Sequence, residues 1–310
     1  MKICVIVPAY NAARYLPQTV QSVQNQTEGD WELIVVNDGA RDDTGPLADR
    51  LAAQDPRIRV VHQPNAGLSG ARNGGLAAAS PGADAFLFLD ADDLLEPGAL
   101  AALAALLEVS PDASAAYGLA RYIDGDGQPI LPGVAEAFGR TRRSVEGGRL
   151  VCHPVEAATS FAMLAYRNSI LTPGQVLLRR SALERAGLFD TALPPTADWD
   201  MWLRLTRHAD MTLLDDVVLA YRRHGENMSG KDEVMRPAEL TLRAKLCRDE
   251  TLPPALRQSA FAGYRHSERG WAVEWGRLAR ERLAQGQPIL AAKMLRRAVL
   301  YSMWSLGGPK

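Results

Sequence analysis

The chain has 310 residues, of which 47% are hydrophobic and 23% are charged, as in a globular protein with one large domain or a domain plus an appendage. No apolar run approaches the ~18 residues that a membrane-spanning helix needs, and the apolar part of the N-terminus is too short for a signal peptide. The net charge is −1, and the sequence has no recognised nucleic-acid-binding motif or aromatic-interleaved basic strip, which argues against a nucleic-acid partner. Three isolated cysteines without metal-ligand spacing favour a reducing compartment.

Short apolar runs alternate with amphipathic stretches in the first third of the chain. The runs are continuous and rich in Val and Ile, which is typical of strands buried on both faces of a parallel sheet. Asn11, Asp42 and Ser69 are expected to cap helices. The predicted strands are Ile3–Val7, Leu33–Val36, Ile58–Val61 and Ala85–Leu89, and the predicted helices are Ala12–Gln24, Asp43–Ala53, Ser69–Ala79 and Pro97–Glu108. This order predicts an α/β fold with a doubly wound, mostly parallel central sheet flanked by helices.

The pattern is less regular in the middle of the chain. Asp124–Gly127 predicts a turn after Ser114–Ile123, and residues 128–150 show little periodicity. Beyond Lys231 the pattern becomes wholly helical, with Gly286–Pro288 dividing two helices. Before that point we predict strands at Gln175–Arg179 and Val217–Arg222, and helices at Pro154–Tyr166 and Asp198–Thr206.

The most informative segment is an apolar strand, Phe86–Leu89, that runs into Asp90, Asp92 and Asp93. Carboxylates this close repel one another unless a cation or hydrogen-bond donors collect there. Mg²⁺ and Mn²⁺ prefer oxygen ligands and typically bind through one or two carboxylates together with substrate phosphates. Open α/β folds bind ligands at the carboxyl ends of their strands. The segment therefore predicts a metal–diphosphate site, and the alternative is a solvated acidic turn that caps the next helix.

Polar segments follow the other predicted strands as well. Pro8–Asn11 follows the first strand, Asn37–Gly39 follows the second, and Gly67–Asn73, which includes Arg72, opens a helix. Because strand ends and helix starts lie along one edge of such a sheet, we expect these segments to gather on one rim with the acidic segment.

These segments together resemble glycosyltransferase family 2, a large inverting family with the GT-A nucleotide-sugar fold. The matching segments occur in family order: Val5–Asn11, Glu32–Gly39, Asn65–Asn73, Phe88–Asp93, Gly187–Asp190, Asp198–Leu205 and Tyr221–His224. The resemblance implies a Rossmann-like GT-A domain over residues 1–230. Residues 1–110 would be its nucleotide-sugar-binding half and residues 111–230 its acceptor and catalytic half. Residues 231–310 would form a helical C-terminal extension.

The resemblance also implies a role for each matched residue. Nucleotide-sugar contacts fall on Pro8, Ala9, Tyr10, Asp38, Arg72 and Asp90, with Asp38 accepting the imide N–H of a base such as uracil and Asp90 near the ribose. Asp92 would bind Mn²⁺ or Mg²⁺, and His224 would close over the metal and diphosphate. Asp198 occupies the position of the catalytic base. Trp199 and Trp202 are candidates for stacking on an acceptor sugar.

The function implied is the metal-dependent, inverting transfer of a sugar from a nucleotide-sugar donor, with a UDP-sugar favoured. The acceptor would be a hydroxyl of a glycan or lipid-linked molecule in cell-surface polysaccharide or glycolipid synthesis. One alternative is a catalytically impaired nucleotide-sugar-binding scaffold. Another is a sugar nucleotidyltransferase, which would be expected to open with a Gly-rich basic loop where this chain has Pro8–Asn11.

Several matched residues also have structural explanations. Asp198 is in a position to cap the helix that follows it, Trp202 fits a core position, and a lone histidine such as His224 is usually a surface or structural residue. Two positions depart from the family pattern: Ala197 stands where a Glu usually precedes the base, and Asn37 replaces a common Asp.

The C-terminal part of the chain differs in charge from the rest. Residues 1–230 hold 20 Lys or Arg and 28 Asp or Glu, whereas residues 231–310 hold 15 and 8. Apolar residues recur there at helical intervals with arginines between them. This pattern predicts a helical hairpin that packs on the catalytic domain or forms a homodimer, and the alternative is peripheral contact with an anionic membrane. The expected location is cytoplasmic, with the inner face of the membrane as the peripheral site.

Overall fold

The apolar runs of the sequence form the strands of a central sheet. We describe a computed structural model of the chain for residues 1–27, 29–225, 227 and 230–307. The strands of this part of the chain are β1 (Ile3–Ala9), β2 (Trp31–Asp38), β3 (Ile58–Gln63), β4 (Ala85–Phe88), β5 (Leu94–Leu95), β6 (Ala115–Ile123), β7 (Pro129–Ile130), β8 (Arg143–Glu146), β9 (Arg149–Cys152), β10 (Val176–Arg179) and β11 (Met211–Arg222).

Helices connect the strands and form the C-terminal part of the chain. Two short 3₁₀ helices, Pro173–Gln175 and Pro194–Thr196, precede β10 and α8. The α-helices are α1 (Leu16–Gln24), α2 (Thr44–Ala52), α3 (Gly67–Ala78), α4 (Ala99–Val109), α5 (Val134–Gly139), α6 (Phe161–Tyr166), α7 (Arg180–Ala186), α8 (Ala197–Leu205), α9 (Asp232–Arg248), α10 (Pro254–Ala284) and α11 (Pro288–Gly307). None of these described helices is both long and apolar enough to cross a bilayer.

The central sheet has the strand order β3-β2-β1-β4-β10-β6-β11-β5, with β7 beside β6. Strands β3, β2, β1 and β4 are mutually parallel. Strand β10 is antiparallel to both β4 and β6, so β6 and its parallel neighbour β11 run in the same direction as β1. Six described strands of this sheet therefore share one direction, which confirms the predicted α/β fold with a mostly parallel sheet and a C-terminal helical extension.

Apolar side chains on both sides of β1 anchor the sheet. All seven residues of β1 are buried, and α1 packs Leu16, Val20 and Val23 into the same core. Each fully buried side chain of this size contributes about 1.5–3 kcal/mol relative to an exposed one. The carboxyl ends of β1, β2 and β4 are consequently fixed by a packed core rather than by the loops that follow them.

The predicted helix over Pro154–Tyr166 is wrong for its first half, since only Phe161–Tyr166 is helical. Thr159 forms an isolated antiparallel bridge with Met211, with its N–H 2.7 Å from the Met211 carbonyl oxygen and the reciprocal bond at 3.1 Å. A backbone whose hydrogen-bonding groups pair with a strand cannot also make helical bonds at those groups.

Part of the stretch without periodicity forms a hairpin. Strands β8 and β9 pair in antiparallel register from Arg143 with Cys152 to Glu146 with Arg149. Gly147 and Gly148 connect them with φ angles of 55° and 78°, both in the left-handed region that a tight two-residue turn requires. The Gly-Gly pair between two short strands was the available sequence signal for this element.

Two of the three predicted helix caps occupy other positions. Asn11 has a φ of 51° and accepts a hydrogen bond from the Arg41 N–H at 2.9 Å, whereas α1 begins at Leu16. Ser69 lies inside α3, which begins at Gly67. Asp42 does act at a helix start, because its Oδ1 accepts the N–H of Thr44, the first residue of α2, at 3.1 Å.

The chain forms two compact units. The first consists of Met1–Arg142, Pro154–Ser160 and Ser169–Ala238 and contains the central sheet. The second consists of Arg143–His153, Phe161–Asn168 and Glu239–Lys310, and so contains the β8–β9 hairpin, α6, α10 and α11. The functional division at residues 110 and 230 stays a prediction.

Candidate active site

The strand ends that the sequence predicted to share a rim are neighbours in the sheet. Ala9 pairs with Asn37 across β1 and β2, and Ile6 pairs with Phe88 across β1 and β4. Asp38, the last residue of β2, and Asp90, in the segment after β4, therefore lie at the same edge of the sheet. Pro8 and Ala9 are buried in β1, whereas Tyr10 is 47% exposed beyond its end.

Asp38 ends β2 and is almost fully buried. Its Oδ1 accepts hydrogen bonds from the Gln63 side chain at 2.7 Å and from the Ala66 N–H at 2.8 Å. Asn65 donates to the Asp38 carbonyl oxygen at 2.9 Å. These contacts fix the carboxylate plane and leave its Oδ2 as the oxygen available to a further donor.

Arg72 joins two of the predicted site residues. This buried residue of α3 donates from one terminal nitrogen to Asp90 Oδ1 at 2.9 Å, and its guanidinium lies 5.3 Å from the centroid of the Phe189 ring. Its Nε has no hydrogen-bond partner among the described residues. Asn73, the next residue, holds the backbone of Phe189 through bonds of 2.9 and 3.0 Å to its N–H and carbonyl oxygen. The segment Gly187–Asp190 is thereby held beside Arg72.

Asp92 and His224 lie within contact distance of each other. Asp92 Oδ2 is 2.9 Å from His224 Nε2, and the imidazole stacks on Tyr15 with ring centroids 5.2 Å apart. Burial and then the negative charge of Asp90 raise the pKa of Asp92, and the contact with His224 opposes that shift. A cation beside Asp92 would relieve the same repulsion.

Asp93 faces inward and has no exposed surface. Its Oδ1 accepts the Arg222 N–H at 2.9 Å, and Thr172 Oγ1 lies 3.2 Å from its Oδ2 and 3.0 Å from Asp90 Oδ2. A threonine hydroxyl carries one proton, so one of the two carboxyl groups must supply a second if both contacts are hydrogen bonds. Burial, followed by the charges of Asp92 and Asp90, raises the pKa of Asp93, so we expect Asp93 to hold that proton.

Arg222 is the main site residue that the sequence did not reveal. It is fully buried at the end of β11, and its guanidinium donates to the carbonyl oxygens of Asp92, Asp124 and Gly125 at 2.8–3.2 Å. It also donates to Gln18 Oε1 at 2.7 Å. The motif Tyr221–His224 contained the residue but gave no indication of these partners, most of which lie about a hundred or more residues away in sequence. Arg222 thus fixes the backbone that presents Asp92.

Asp198 lies in the first turn of α8, half-buried, with its Oδ1 accepting the Trp199 N–H at 2.7 Å. Burial raises the pKa of Asp198 to about 6, the nearby positive charge of Arg72 and the Trp199 N–H oppose the shift, and Asp90 adds to it. Arg72 therefore lies within electrostatic reach of both Asp90 and Asp198. A carboxylate with this pKa is ionised at neutral pH and is a stronger base than a free aspartate.

The two tryptophans of α8 are both buried, with exposures of 7% for Trp199 and 0% for Trp202. Trp202 offers no face of its ring to an acceptor, so the structure favours the core interpretation for it. Stacking on an acceptor sugar needs an accessible ring face. The burial of Trp202 therefore gives no support to its acceptor role, which stays a prediction. The acceptor role of Trp199 stays a prediction.

The donor set fits a divalent cation that relies on its substrate for further ligands. No group of three or more His, Cys, Asp or Glu side chains in the described ranges forms a metal cage by itself. Asp92 and His224 supply one carboxylate and one imidazole at 2.9 Å from each other, with Asp90 close enough to perturb Asp92. Sites with one or two protein ligands are typical of Mg²⁺ and Mn²⁺ bound together with substrate phosphates.

Comparison with known proteins decides the family. A profile described as Glycosyl transferase family 2 matches residues 4–186, which is more than half of the chain. The chain belongs to glycosyl transferase family 2. The matched range contains the strand ends with Asp38, Arg72, Asp90 and Asp92, and ends before Asp198 and His224.

Relatives and solved structures agree with this assignment. The chain is 30% identical to a chondroitin synthase of Pasteurella multocida over 234 residues, covering 74% of this chain and 21% of that protein. The chain thus spans about a fifth of that relative's length. TarS from S. aureus in complex with UDP-GlcNAc superimposes with a TM-score of 0.64 at 17% identity, covering 99% of this chain and 92% of the TarS chain.

A mannosyltransferase, PcManGT from Pyrobaculum calidifontis in complex with GDP-Man and Mn²⁺, gives the same TM-score of 0.64 at 18% identity. The match covers 98% of this chain and 87% of that one. At these identities the likeness shows the fold alone. The fold of this chain is therefore GT-A, as the resemblance implied.

Proposed function

We propose that this chain is a metal-dependent, inverting glycosyltransferase that uses a nucleotide-sugar donor, with a UDP-sugar favoured. The observation that carries the proposal is the cluster in which Arg72 binds Asp90 and acts electrostatically on Asp198, whose pKa is raised to about 6. The buried guanidinium of Arg72 thus interacts with both Asp90, on the donor side, and Asp198, the proposed base. The chondroitin synthase relative and the nucleotide-sugar complexes of TarS and PcManGT support the same class of chemistry.

The donor's nucleoside would lie at the ends of β1 and β2. Pro8 and Ala9 supply the floor, the exposed Tyr10 supplies an aromatic edge, and Asp38 Oδ2 accepts the imide N–H of uracil. Cytosine lacks that N–H, so the carboxylate discriminates between the bases. Arg72 and Asp90 would lie nearer the ribose and phosphates.

Asp92 and His224 would hold the divalent cation, Mn²⁺ or Mg²⁺, with the remaining ligands from the diphosphate. When bound, the metal supplies positive charge that stabilises the leaving diphosphate. Arg222 and Thr172 keep the acidic loop in place for this task. The Mn²⁺ in the PcManGT complex supports the choice of a hard divalent cation.

Asp198 would act as general base. Its carboxylate takes the proton of an acceptor hydroxyl as that oxygen attacks the anomeric carbon, and the bond from that carbon to the diphosphate oxygen breaks with its electron pair on the diphosphate. Single displacement inverts the configuration, so an α-linked donor gives a β-linked product. General-base catalysis of this kind contributes about 10²–10⁴ in rate.

The acceptor is proposed to be a hydroxyl of a glycan or lipid-linked molecule in cell-surface polysaccharide or glycolipid synthesis. Residues 1–110 would bind the donor and residues 111–230 the acceptor. The alternative of an impaired scaffold rests on Ala197, which is fully buried where the family usually has Glu. Because Asp198 is retained with a raised pKa, we favour an active enzyme.

Release of UDP from a panel of UDP-sugars in the presence of Mn²⁺ tests the proposal, with water or simple glycosides as acceptors. We expect one donor to be cleaved by the wild-type protein and not by Asp198→Asn, while both bind it equally. The exposed carboxylate variant Asp216→Asn serves as the matched control and should keep full activity. Donor binding with no release from any donor and acceptor tried would favour the scaffold instead.

A further inference from the structure

The last two helices form an antiparallel hairpin within the second unit. Gln285–Gln287 connects α10 to α11, with Gly286 at a φ of 72°. The guanidinium of Arg297 lies 4.6 Å from the centroid of the Trp275 ring, and Ala291 and Ala298 of α11 are buried. One side of α11 is therefore covered by α10.

Another side of α11 carries a row of large apolar residues that are each more than half exposed. Leu295, Val299, Met303 and Leu306 are 56%, 52%, 61% and 71% exposed. Their spacing of four, four and three residues places them in one line along the helix. Ile289, at the start of α11, is 76% exposed. We call Leu295, Val299, Met303 and Leu306 the apolar row.

The charged residues in the segment that carries the apolar row all have one sign. Residues 282–310 contain three arginines, two lysines and no aspartate or glutamate. Arg296 is exposed on α11 next to the apolar row, and Lys293 is exposed farther around the same helix. Long cationic side chains of this kind bury their stems along an apolar surface while the charged ends stay in a polar layer.

The charge of this segment distinguishes between two binding partners for the apolar row, a second copy of α11 and a lipid surface. A second copy of α11 would bring a second set of cations to the same surface, with no acidic residue from either helix to pair with them. An anionic lipid surface supplies both an apolar layer for the row and negative charge for its flanks. The charge complementarity therefore favours the lipid.

We propose that α11 binds the surface of an anionic lipid bilayer through the apolar row, with Lys293 and Arg296 contacting the headgroups. The helix lies in the interface and does not span it, in keeping with its mixed apolar and basic surface. The proposal is independent of the sugar transfer proposed above and goes beyond it. It names a lipid surface as a binding partner of the second unit.

Co-sedimentation of the full chain with phosphatidylcholine vesicles, with and without phosphatidylglycerol, tests this proposal. We expect binding to the anionic vesicles and little to the neutral ones. Leu295→Asp/Met303→Asp should weaken binding about tenfold or more, and Lys293→Glu/Arg296→Glu should remove the preference for anionic vesicles. Val109→Asp, at an exposed apolar position at the end of α4, is the matched control and should bind as the wild type does.

Light scattering of the same proteins in solution tests the alternative, in which the apolar row forms a dimer. A dimer of the wild type that Leu295→Asp/Met303→Asp converts to a monomer would assign the apolar row to a second copy and overturn the proposal. Equal binding to neutral and anionic vesicles, or no binding to either, would also overturn it. Circular dichroism and urea unfolding of each variant show that the protein is folded, and this readout does not depend on the proposed transferase function.

Discussion

The site residue with the most distinctive electrostatics is Asp198. Burial holds the pKa of this carboxyl at about 6, while Arg72 prevents a larger rise. The group is thus mostly ionised at neutral pH and retains more basicity than a solvated aspartate. The sequence could identify the position, but the pKa depends on neighbours that only the fold brings together.

The pH dependence of turnover follows from this pKa. Asp198 must be deprotonated to accept a proton, so kcat/KM is expected to fall about tenfold per pH unit below pH about 6. Steady-state rates from pH 5 to 8 at saturating Mn²⁺ give the profile. A rate that stays level down to pH 5 would contradict the assignment of Asp198 as the base.

The same pKa has a consequence for stability. The native pKa of about 6 lies above that of the unfolded chain, so the native state binds the extra proton between the two values and stability falls as the pH rises through that window. The loss is at most about 3 kcal/mol, and less for a half-buried group. Asp198→Asn should therefore be more stable than the wild type at pH 8.

Urea unfolding of both proteins at pH 4 and pH 8 measures this effect. The advantage of Asp198→Asn should be present at pH 8 and shrink toward pH 4. A difference between the two proteins that does not change with pH would show that the carboxyl titrates normally in the native state.

We expect Asp92→Ala to weaken metal binding without lowering the stability of the fold. Its side chain is partly exposed and is repelled by Asp90, so Asp92→Ala should leave the free energy of unfolding unchanged or slightly raised. Mn²⁺-dependent UDP binding should weaken at least about tenfold, because a direct ligand is lost. Calorimetric titration with UDP and Mn²⁺ gives the affinity, and Asp126→Ala, at a highly exposed position, is the control. Wild-type affinity in Asp92→Ala would remove Asp92 from the metal site.

At the scale of elements, Arg222 connects the end of β11 to three other parts of the first unit. Its guanidinium reaches the acidic loop after β4, the turn after β6 and the helix α1. Each buried carbonyl that loses its donor costs about 1–3 kcal/mol. The positions of these loops are consequently linked through one side chain.

Replacing this arginine tests the link. Arg222→Met should lower the free energy of unfolding by about 3 kcal/mol, because several part-buried acceptors lose a charged donor at once. The neighbouring Arg223→Met is the matched control, since Arg223 is exposed and lies over the Tyr122 ring. Urea unfolding measures both, and an equal small loss in the two variants would contradict the role given to Arg222.

The elements differ in how well the sequence predicted them, for physical reasons. Strands β1 to β4 were predictable because strands buried on both faces need continuous apolar residues, and the acids at their ends marked the rim. The sequence did not predict the roles of Thr172, Asn73 and Arg222, because these roles come from contacts across 79 to 204 residues of sequence. The helix predicted before Phe161 failed because pairing of Thr159 with Met211 overrode local preference.

At the scale of the whole molecule, membership of glycosyl transferase family 2 and the GT-A fold are consistent with the chemistry of the rim. Charge is divided unevenly along the chain, with residues 282–310 carrying cations alone. The strand-end carboxylates would serve a metal and a diphosphate, and the cationic C-terminal part would serve an anionic surface. The acidic rim would thus bind a cation, and the basic C-terminal segment would bind anionic lipid.

The central claim is that the rim binds a nucleoside diphosphate together with a divalent metal. A thermal-shift panel of UDP, GDP, TDP and CMP compounds, each with and without Mn²⁺, tests it directly. A ligand at about 100 times its dissociation constant adds about 2.7 kcal/mol to stability, which is readily detected. We predict a shift with UDP that requires Mn²⁺ and is lost in Asp92→Ala. No shift with any nucleotide, or a shift that is the same without Mn²⁺, would contradict the account.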